Sequence, residues 1–220
     1  MTRYGMVIDL TRCFGCHACE VACKVANNNP SELDYNRVYT VGGVGDTNVV
    51  TYDTATGTYP DCKLNFLPMN CQHCGNPACL PVCPTGATKK DEETGVVYVD
   101  DALCIGCNSC IIACPYHGVR THLMNASEYY LDLAVGEADA PSHTDRTVEK
   151  CTFCRNLTAR GEQPACMQLC PGRARHWGDL EDPSSEVSQL VSSGRCTQLQ
   201  PEDGTEPNIY YVVKSAASVD

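Results

Sequence analysis

The chain has 220 residues, a formal net charge of −11, and 18 cysteines beside only 3 Phe and 1 Trp. The acidic balance argues against nucleic-acid binding, which wants a basic surface. No run approaches the roughly 18 to 20 apolar residues of a membrane span, so direct membrane insertion is not expected. With few large aromatic side chains for a core, disulfides or metals are left to supply stability. The N-terminal MTRYGMVIDLTRC lacks the apolar stretch and cleavage site of a secretory signal, which favours reduced, metal-binding thiols over disulfides.

In chain order, MVIDL reads as a short β-branched strand. It leads through Asp9 to the first cysteine group, Cys13, Cys16, Cys19 and Cys23. Residues 24–70 contain VYTVGGVGDTNVVTYDTATGTY, rich in Val, Thr, Tyr and Gly, which predicts short strands with turns. The second group is Cys71, Cys74, Cys79 and Cys83. TKKDEETGVVYV then places a polar turn with Gly95 before a strand, the pattern of a hairpin. The third group is Cys104, Cys107, Cys110 and Cys114, and the polar, acidic residues 120–148 predict a surface insertion. The fourth group is Cys151, Cys154, Cys166 and Cys170. Beyond it, Asp182 is expected as the N-cap of a helix with Pro183 as its first residue. The strand-like NIYYVV near the end can pair with the N-terminal YGMVIDL.

The four groups share one grammar: C-x₂-C, a variable step to a third cysteine, then three residues to a fourth. The last interval is helical, so short helices are expected to carry the third and fourth cysteine of each group. Pro84, Pro115 and Pro171 follow the fourth cysteine in three groups and redirect the chain; Lys24 stands there in the first. Soft thiolates suit iron with bridging sulfide, and a tight C-x₂-C-x₂-C loop directs three sulfurs at the corners of one cube. The fourth cysteine, a helical turn on, is carried toward a second cube, as in two-cluster ferredoxins. Four groups hold ligands for four [4Fe–4S] clusters. An oxidised cube with its thiolates carries about −2, so four add about −8. Structural zinc, which closes one tetrahedron with two C-x₂-C pairs, is the competing metal.

His17 and His73 lie inside ligand loops whose places are already filled, and are expected to hydrogen-bond locally; His117, His122, His143 and His176 have no metal spacing. Cys62 and Cys196 read as buried or idle thiols. Trp177 fits a core or an interface, and Lys24, Arg173 and Arg175 fit either cluster-charge compensation or a solvated surface. No nucleophile–base pair or phosphate loop stands out, and cubes fully ligated by cysteine offer no open coordination position. The chemistry left is one-electron transfer along a wire. Two other readings stay open on the residues alone: a free-standing polyferredoxin carrier and a zinc-stapled interaction module.

MVIDLTRCFGCHACEVACK, CQHCGNPACLPVCPTGA, CIGCNSCIIACPY, KCTFC and ACMQLCPGRARHWGDLEDPSSEVS together resemble the four-cluster electron-transfer subunits of dimethyl-sulfoxide-reductase-type molybdopterin oxidoreductases. Within that family the chain looks most like the small subunits of soluble arsenate reductase, transhydroxylase and aromatic dehydroxylases. The resemblance implies cluster 1 on Cys13, Cys16, Cys19 and Cys170, nearest a large molybdenum or tungsten bis-pterin catalytic subunit. It implies cluster 2 on Cys23, Cys151, Cys154 and Cys166, and cluster 3 on Cys71, Cys74, Cys79 and Cys114. Cluster 4, outermost, would use Cys83, Cys104, Cys107 and Cys110. Cys107 stands where nitrate-reductase-like relatives carry a Trp, so a [3Fe–4S] centre is not expected.

The expected fold is α+β: two ferredoxin-like bicluster modules related by pseudo-twofold symmetry, with a β-rich insertion and a C-terminal extension. Residues 1–27 with 146–180 form one module (groups one and four) and 62–118 the other (groups two and three). Residues 28–61 are the β-rich insertion, 119–145 a surface insertion, and 181–220 a C-terminal helix and strand. The implied function is to carry electrons between the catalytic subunit, itself the site of chemistry, and a membrane or soluble redox partner. The implied compartment is cytoplasmic, or extracytoplasmic where the partner carries a twin-arginine signal.

Overall fold

Short strands that enter and leave each cysteine group set the architecture. A computed structural model describes residues 2–41, 59–60, 64–129, 135–136 and 139–213. The described elements are β1 (Tyr4–Asp9), α1 (Ala18–Ala26), β2 (Asn36–Val41), β3 (Asn65–Asn70), β4 (Thr88–Lys90), β5 (Val97–Val99), α2 (Ser109–Ile112), β6 (Arg120–Leu123) and β7 (Thr147–Lys150). They continue with α3 (Arg155–Thr158), α4 (Ala165–Gln168), β8 (Arg175–Asp179), α5 (Glu186–Ser192), β9 (Cys196–Thr197), a 3₁₀ turn Pro201–Asp203 and β10 (Ile209–Val212). The content is mixed helix and strand, as expected of ferredoxin-like units.

A simple rule orders the strands around the cysteines. The strand leaving each group pairs antiparallel with the strand entering the next: β2 with β3, β4 with β5, β6 with β7. β8, leaving group four, returns to β1, entering group one. The ring thereby closes on the chain's beginning. β10 adds in parallel to the other edge of β1, Met6 opposite Ile209, and β9 pairs with β10, giving the order β8-β1-β10-β9.

Period-two alternation assigns the two faces of that sheet. Met6 and Ile8 of β1 and Ile209 and Tyr211 of β10 point toward the cysteines, packing with Leu33, Phe153 and the thiols of Cys19, Cys23, Cys71, Cys151 and Cys166. Val7 and Val212 point the other way, onto Val187 of α5 and Leu180. Cysteine side chains are thus part of the main apolar core rather than staples at its edge. The aromatic contribution is larger than the Phe and Trp counts imply, because Tyr35, Tyr116 and Tyr211 are buried beside Phe153.

Several expectations need correction. Only α1 carries both the third and fourth cysteine of its group; α2 and α4 end before Cys114 and Cys170. Group two has no helix: Leu80 N–H bonds to Pro77 C=O and Cys83 N–H to Leu80 C=O, which are single i→i+3 turns. Pro81 has no N–H to give, so a helical ladder cannot build through this segment. The helix expected to start at Asp182 starts three residues later, where Ser185 Oγ accepts from the Ser188 N–H at 3.2 Å. Asp182 instead closes a turn, its Oδ1 accepting from Ser184 N–H at 2.8 Å and from Ser184 Oγ at 2.7 Å. A strand, β6, opens the segment whose polarity suggested only a surface insertion. The expected Gly95 hairpin is β4–β5, with Gly95 at φ 72°. Of the strands expected within 24–70, β2 and β3 are present; residues 42–58 and Cys62 lie outside the described residues.

Candidate metal centres

Each C-x₂-C begins on a loop whose backbone must turn tightly. Gly15 and Gly106, inside the first and third groups, have φ of 70° and 65°, and both face an obstructed position. A β-carbon on Gly15 would meet the Phe66 ring at 2.3 Å, and one on Gly106 the Arg146 carbonyl oxygen at 2.2 Å. Glycine is therefore required at both, sterically and conformationally. His17 and Asn108 follow in the left-handed region and open α1 and α2.

The folded loops gather the thiols into four neighbourhoods. Cys13, Cys16, Cys19 and Cys170 line one cavity together with Ile8 and Arg175. Cys23 is buried among Cys154, Cys151 and Cys166; burial, then those neighbours, push its thiol well above the usual range. Cys74 is raised to about 12 by burial and by Cys71, Cys114 and Cys79. Cys83, Cys104, Cys107 and Cys110 line a second cavity. The neighbourhoods also adjoin in that order: Cys166 of the second feels Cys19 of the first, Cys151 of the second feels Cys71 of the third, and Cys79 of the third packs in one cluster with Cys110 of the fourth. Cys16 and Cys107, in the first and last, are exposed, whereas all four thiols of the second are buried. Cys196 stands apart, half-buried on β9, its Sγ 3.4 Å from Leu190 C=O.

The donor set fits iron–sulfur cubes. Burial foremost, then adjacent thiols, raise Cys151 to about 12, and Cys114 and Cys166 to about 11. Thiols this reluctant to ionise together need a metal to take the place of their protons. Cys83 is the opposite case: burial raises it, but hydrogen bonds from Thr88 and Thr85 outweigh that and bring it to about 7. Backbone donors already point at sulfur: Ala174 N–H to Cys170 Sγ at 3.3 Å, Thr88 N–H to Cys83 Sγ at 3.4 Å and Val148 N–H to Cys104 Sγ at 3.4 Å. Such N–H···S bonds are among the levers that set cluster potentials. Nowhere among the described residues do three or more His, Cys, Asp or Glu side chains converge on a point that one metal ion would fill. Sulfurs that each hold a separate iron of a cube need not converge so closely.

Other predicted residues resolve plainly. His17 Nδ1 pairs with Glu20 at 2.7 Å on the surface. His73 is fully buried, stacked on Phe153 at 3.8 Å, and its Nδ1 accepts from Val97 N–H at 3.2 Å. Burial, then Lys150 and Arg120, hold it well below the ordinary histidine range, so it stays neutral. Trp177 packs against Tyr4 across the sheet, the rings tilted by 37° with centroids 4.5 Å apart. Lys24 braces the following loop through Asp34 at 2.8 Å and the carbonyls of Ser31 and Leu33, and Arg173 is exposed. Arg175 alone of the three basic candidates is buried against thiols, 3.7 Å from both Cys166 and Cys19 Sγ.

Two residues escaped sequence reasoning. Arg120 Nη2 lies 2.8 Å from Cys79 Sγ, and Lys150, next to Cys151, is buried with its ammonium on the carbonyls of Val97 and Cys151. The signal for Arg120 was available: CPYHGVR and CPGRAR place an arginine at nearly the same distance after the fourth cysteine.

Comparison with known proteins bears on the same residues. Three models described as 4Fe-4S dicluster domains match residues 12–87, 62–128 and 96–171. A Halobacterium salinarum protein named as an iron–sulfur subunit of dimethyl sulfoxide reductase is 39% identical over 218 residues, covering 96% of this chain and 79% of its own. The iron–sulfur subunit ArrB of the arsenate respiratory reductase of a Shewanella species is 35% identical over 238 residues, covering 96% of both chains. A tetrathionate reductase subunit of Salmonella typhimurium is 35% identical over 212 residues, covering 96% of this chain and 72% of its own. No helix among the described residues is long and apolar enough to cross a membrane.

Proposed function

Because the chain belongs to the family of iron–sulfur subunits of dimethyl-sulfoxide-reductase-type oxidoreductases, we propose that it serves a molybdopterin catalytic subunit. It is an electron-transfer subunit carrying four [4Fe–4S] clusters. Relatives named as reductase subunits, and models built on 4Fe-4S domains, favour this over a free carrier or a zinc-stapled module.

The observation that carries the reading is the mixing of groups within neighbourhoods. Cys170 lies with Cys13, Cys16 and Cys19, and Cys23 with the other three thiols of group four. Likewise Cys114 lies with Cys71, Cys74 and Cys79, while Cys83 joins Cys104, Cys107 and Cys110. Cluster 1 is therefore held by Cys13, Cys16, Cys19 and Cys170, and cluster 2 by Cys23, Cys151, Cys154 and Cys166. Cluster 3 is held by Cys71, Cys74, Cys79 and Cys114, and cluster 4 by Cys83, Cys104, Cys107 and Cys110. The exchange of a fourth cysteine between groups divides the protein into two bicluster modules, 1–27 with 146–180 and 62–118, related by a pseudo-twofold axis. The equivalent loops at Gly15 and Gly106, each followed by a left-handed residue that opens a helix, support that relation.

Both ends of the wire reach the surface. Phe14 and Leu169, 57% and 61% exposed, flank the cluster 1 loop, where the catalytic subunit docks. Ile105 and Ile112, 65% and 83% exposed, flank cluster 4, where a membrane-bound or soluble redox partner exchanges electrons. The compartment follows the catalytic partner: cytoplasmic, or extracytoplasmic when that partner carries a twin-arginine signal. Purification of the native complex through this chain, with metal analysis, tests the reading. A large subunit containing molybdenum or tungsten is expected to co-purify. A chain that carries its iron but purifies alone contradicts the proposed partnership.

A further inference from the structure

Among the described residues, Arg120, Lys150 and Arg175 are the buried lysine and arginine side chains, and no Asp or Glu is buried. Burying a cation away from water is unfavourable unless a partner charge or a full set of hydrogen bonds compensates. The contacts of these three are neutral oxygens and sulfur. Arg175 donates to Asn36 Oδ1 at 2.5 Å and Asn70 Oδ1 at 3.4 Å, and approaches Met6 Sδ at 3.3 Å. Lys150 donates to the carbonyls of Cys151, at 2.9 Å, and Val97. Arg120 places Nη2 on Cys79 Sγ at 2.8 Å and leaves Nη1 buried with no hydrogen-bond partner.

Their positions follow the wire. Arg175 spans Cys19 and Cys166, thiols of clusters 1 and 2, with one guanidinium nitrogen 3.7 Å from each. Lys150 bridges the carbonyl of Cys151, in cluster 2, and that of Val97, which packs in one apolar cluster with Cys79 of cluster 3. Arg120 holds Cys79 of cluster 3, which packs in one apolar cluster with Cys110 of cluster 4. Four clusters in a row have three gaps, and each gap holds one buried cation.

We propose that Arg175, Lys150 and Arg120 are the fixed counter-charges of the three gaps, each raising the potentials of the two clusters beside it and screening the repulsion between them when both are reduced. The inference rests on the ligand sets assigned above. Each added electron makes a cube more negative, and in a low-dielectric interior two neighbouring cubes oppose each other's reduction. A cation held between them favours the reduced form of both. This sets potentials by charge and burial, levers available to a protein around a fully ligated cluster.

The test is EPR-monitored redox titration of each cluster in the purified complex, with iron and sulfide quantified in every preparation. Arg175→Gln is expected to shift clusters 1 and 2 to lower potential, Lys150→Gln clusters 2 and 3, and Arg120→Gln clusters 3 and 4, each leaving the other two in place. The charge-conserving Arg175→Lys, Lys150→Arg and Arg120→Lys variants are expected to keep all four midpoints. Neutral variants with full iron and unmoved midpoints overturn the proposal, as do charge-conserving variants that shift them as far as the neutral ones. If the neutral variants fail to hold iron, assembly of the charge-conserving variants with unmoved midpoints supports the proposal, and their failure to assemble overturns it. Fewer than four cubes in the unsubstituted protein would instead count against the cluster assignment.

Discussion

Replacing Gly106 with alanine tests whether the cysteine loops are held to the tolerance a cluster demands. Its φ of 65° is left-handed, which costs an L-residue roughly 1–2 kcal/mol. The added β-carbon would lie 2.2 Å from the Arg146 carbonyl oxygen and 2.9 Å from His122 Nε2, whereas ordinary contact begins at 3.4 Å. Arg146 cannot easily withdraw, because its N–H is bonded to Leu123 C=O at 2.7 Å at the end of the β6–β7 ladder. The loop bearing Cys104 and Cys107 must therefore move by about 1 Å, several times the ~0.2 Å tolerance of metal–ligand distances. Gly86 is the matched control: φ is 66°, it neighbours Cys83 of the same cluster, and a β-carbon there meets nothing within 4 Å. Gly106→Ala should lose or convert the outermost cluster, read by iron and sulfide content and by EPR of the reduced protein. Gly86→Ala should keep all four. A Gly106→Ala protein with full iron and unchanged spectra would refute the steric reasoning.

Three further outcomes are expected. Ser185→Ala removes the α5 cap and should cost about 1 kcal/mol locally, seen as roughly fivefold faster amide hydrogen exchange across 186–192; Asp182→Ala should change that exchange much less. Burial lowers His143, but its bonds to Glu149 at 2.8 Å and to Asn27 C=O at 3.0 Å prevail and raise it above the ordinary histidine value. Its folded value thus exceeds its unfolded one, so its stabilisation is complete below about pH 6.5 and fades as pH rises through the folded value. Denaturant titrations from pH 5.5 to 8.5 should show that loss, and His143→Gln should flatten it. Cys196→Ser should retain full iron and all cluster signals, because its thiol lies apart from the four neighbourhoods.

How much of this was legible in the sequence follows from the range of each interaction. Loops of clusters 1, 3 and 4 could be read directly because three of each cube's four ligands lie within a few residues of one another, and β1 and β10 announced themselves by β-branched and aromatic runs. The start of α5 was not legible because Asp182 and Ser185 are both competent caps and Pro183 suits a first turn. Burial of Val187 against Val7 and Leu180 sets the helix where it is. The helix expected across group two failed on Pro81, visible in the sequence but outweighed there by spacing. The buried cations were the deepest omission. Nothing local distinguishes Lys150 from a solvated charge, and Arg120 shows only when CPYHGVR is set beside CPGRAR; their burial is created by strands β6 and β7 pairing across a gap of more than twenty residues.

The central claim is that each wire station is built from two distant parts of the chain, and single cysteine substitutions read by EPR test it most directly. Cys16→Ser and Cys170→Ser, far apart in sequence, are predicted to abolish or convert the same cluster signal. Cys23→Ser, seven residues from Cys16, is predicted to alter a different signal, shared with Cys151→Ser. If Cys16→Ser and Cys23→Ser alter one signal and Cys170→Ser another, each group holds its own cluster and the account is contradicted.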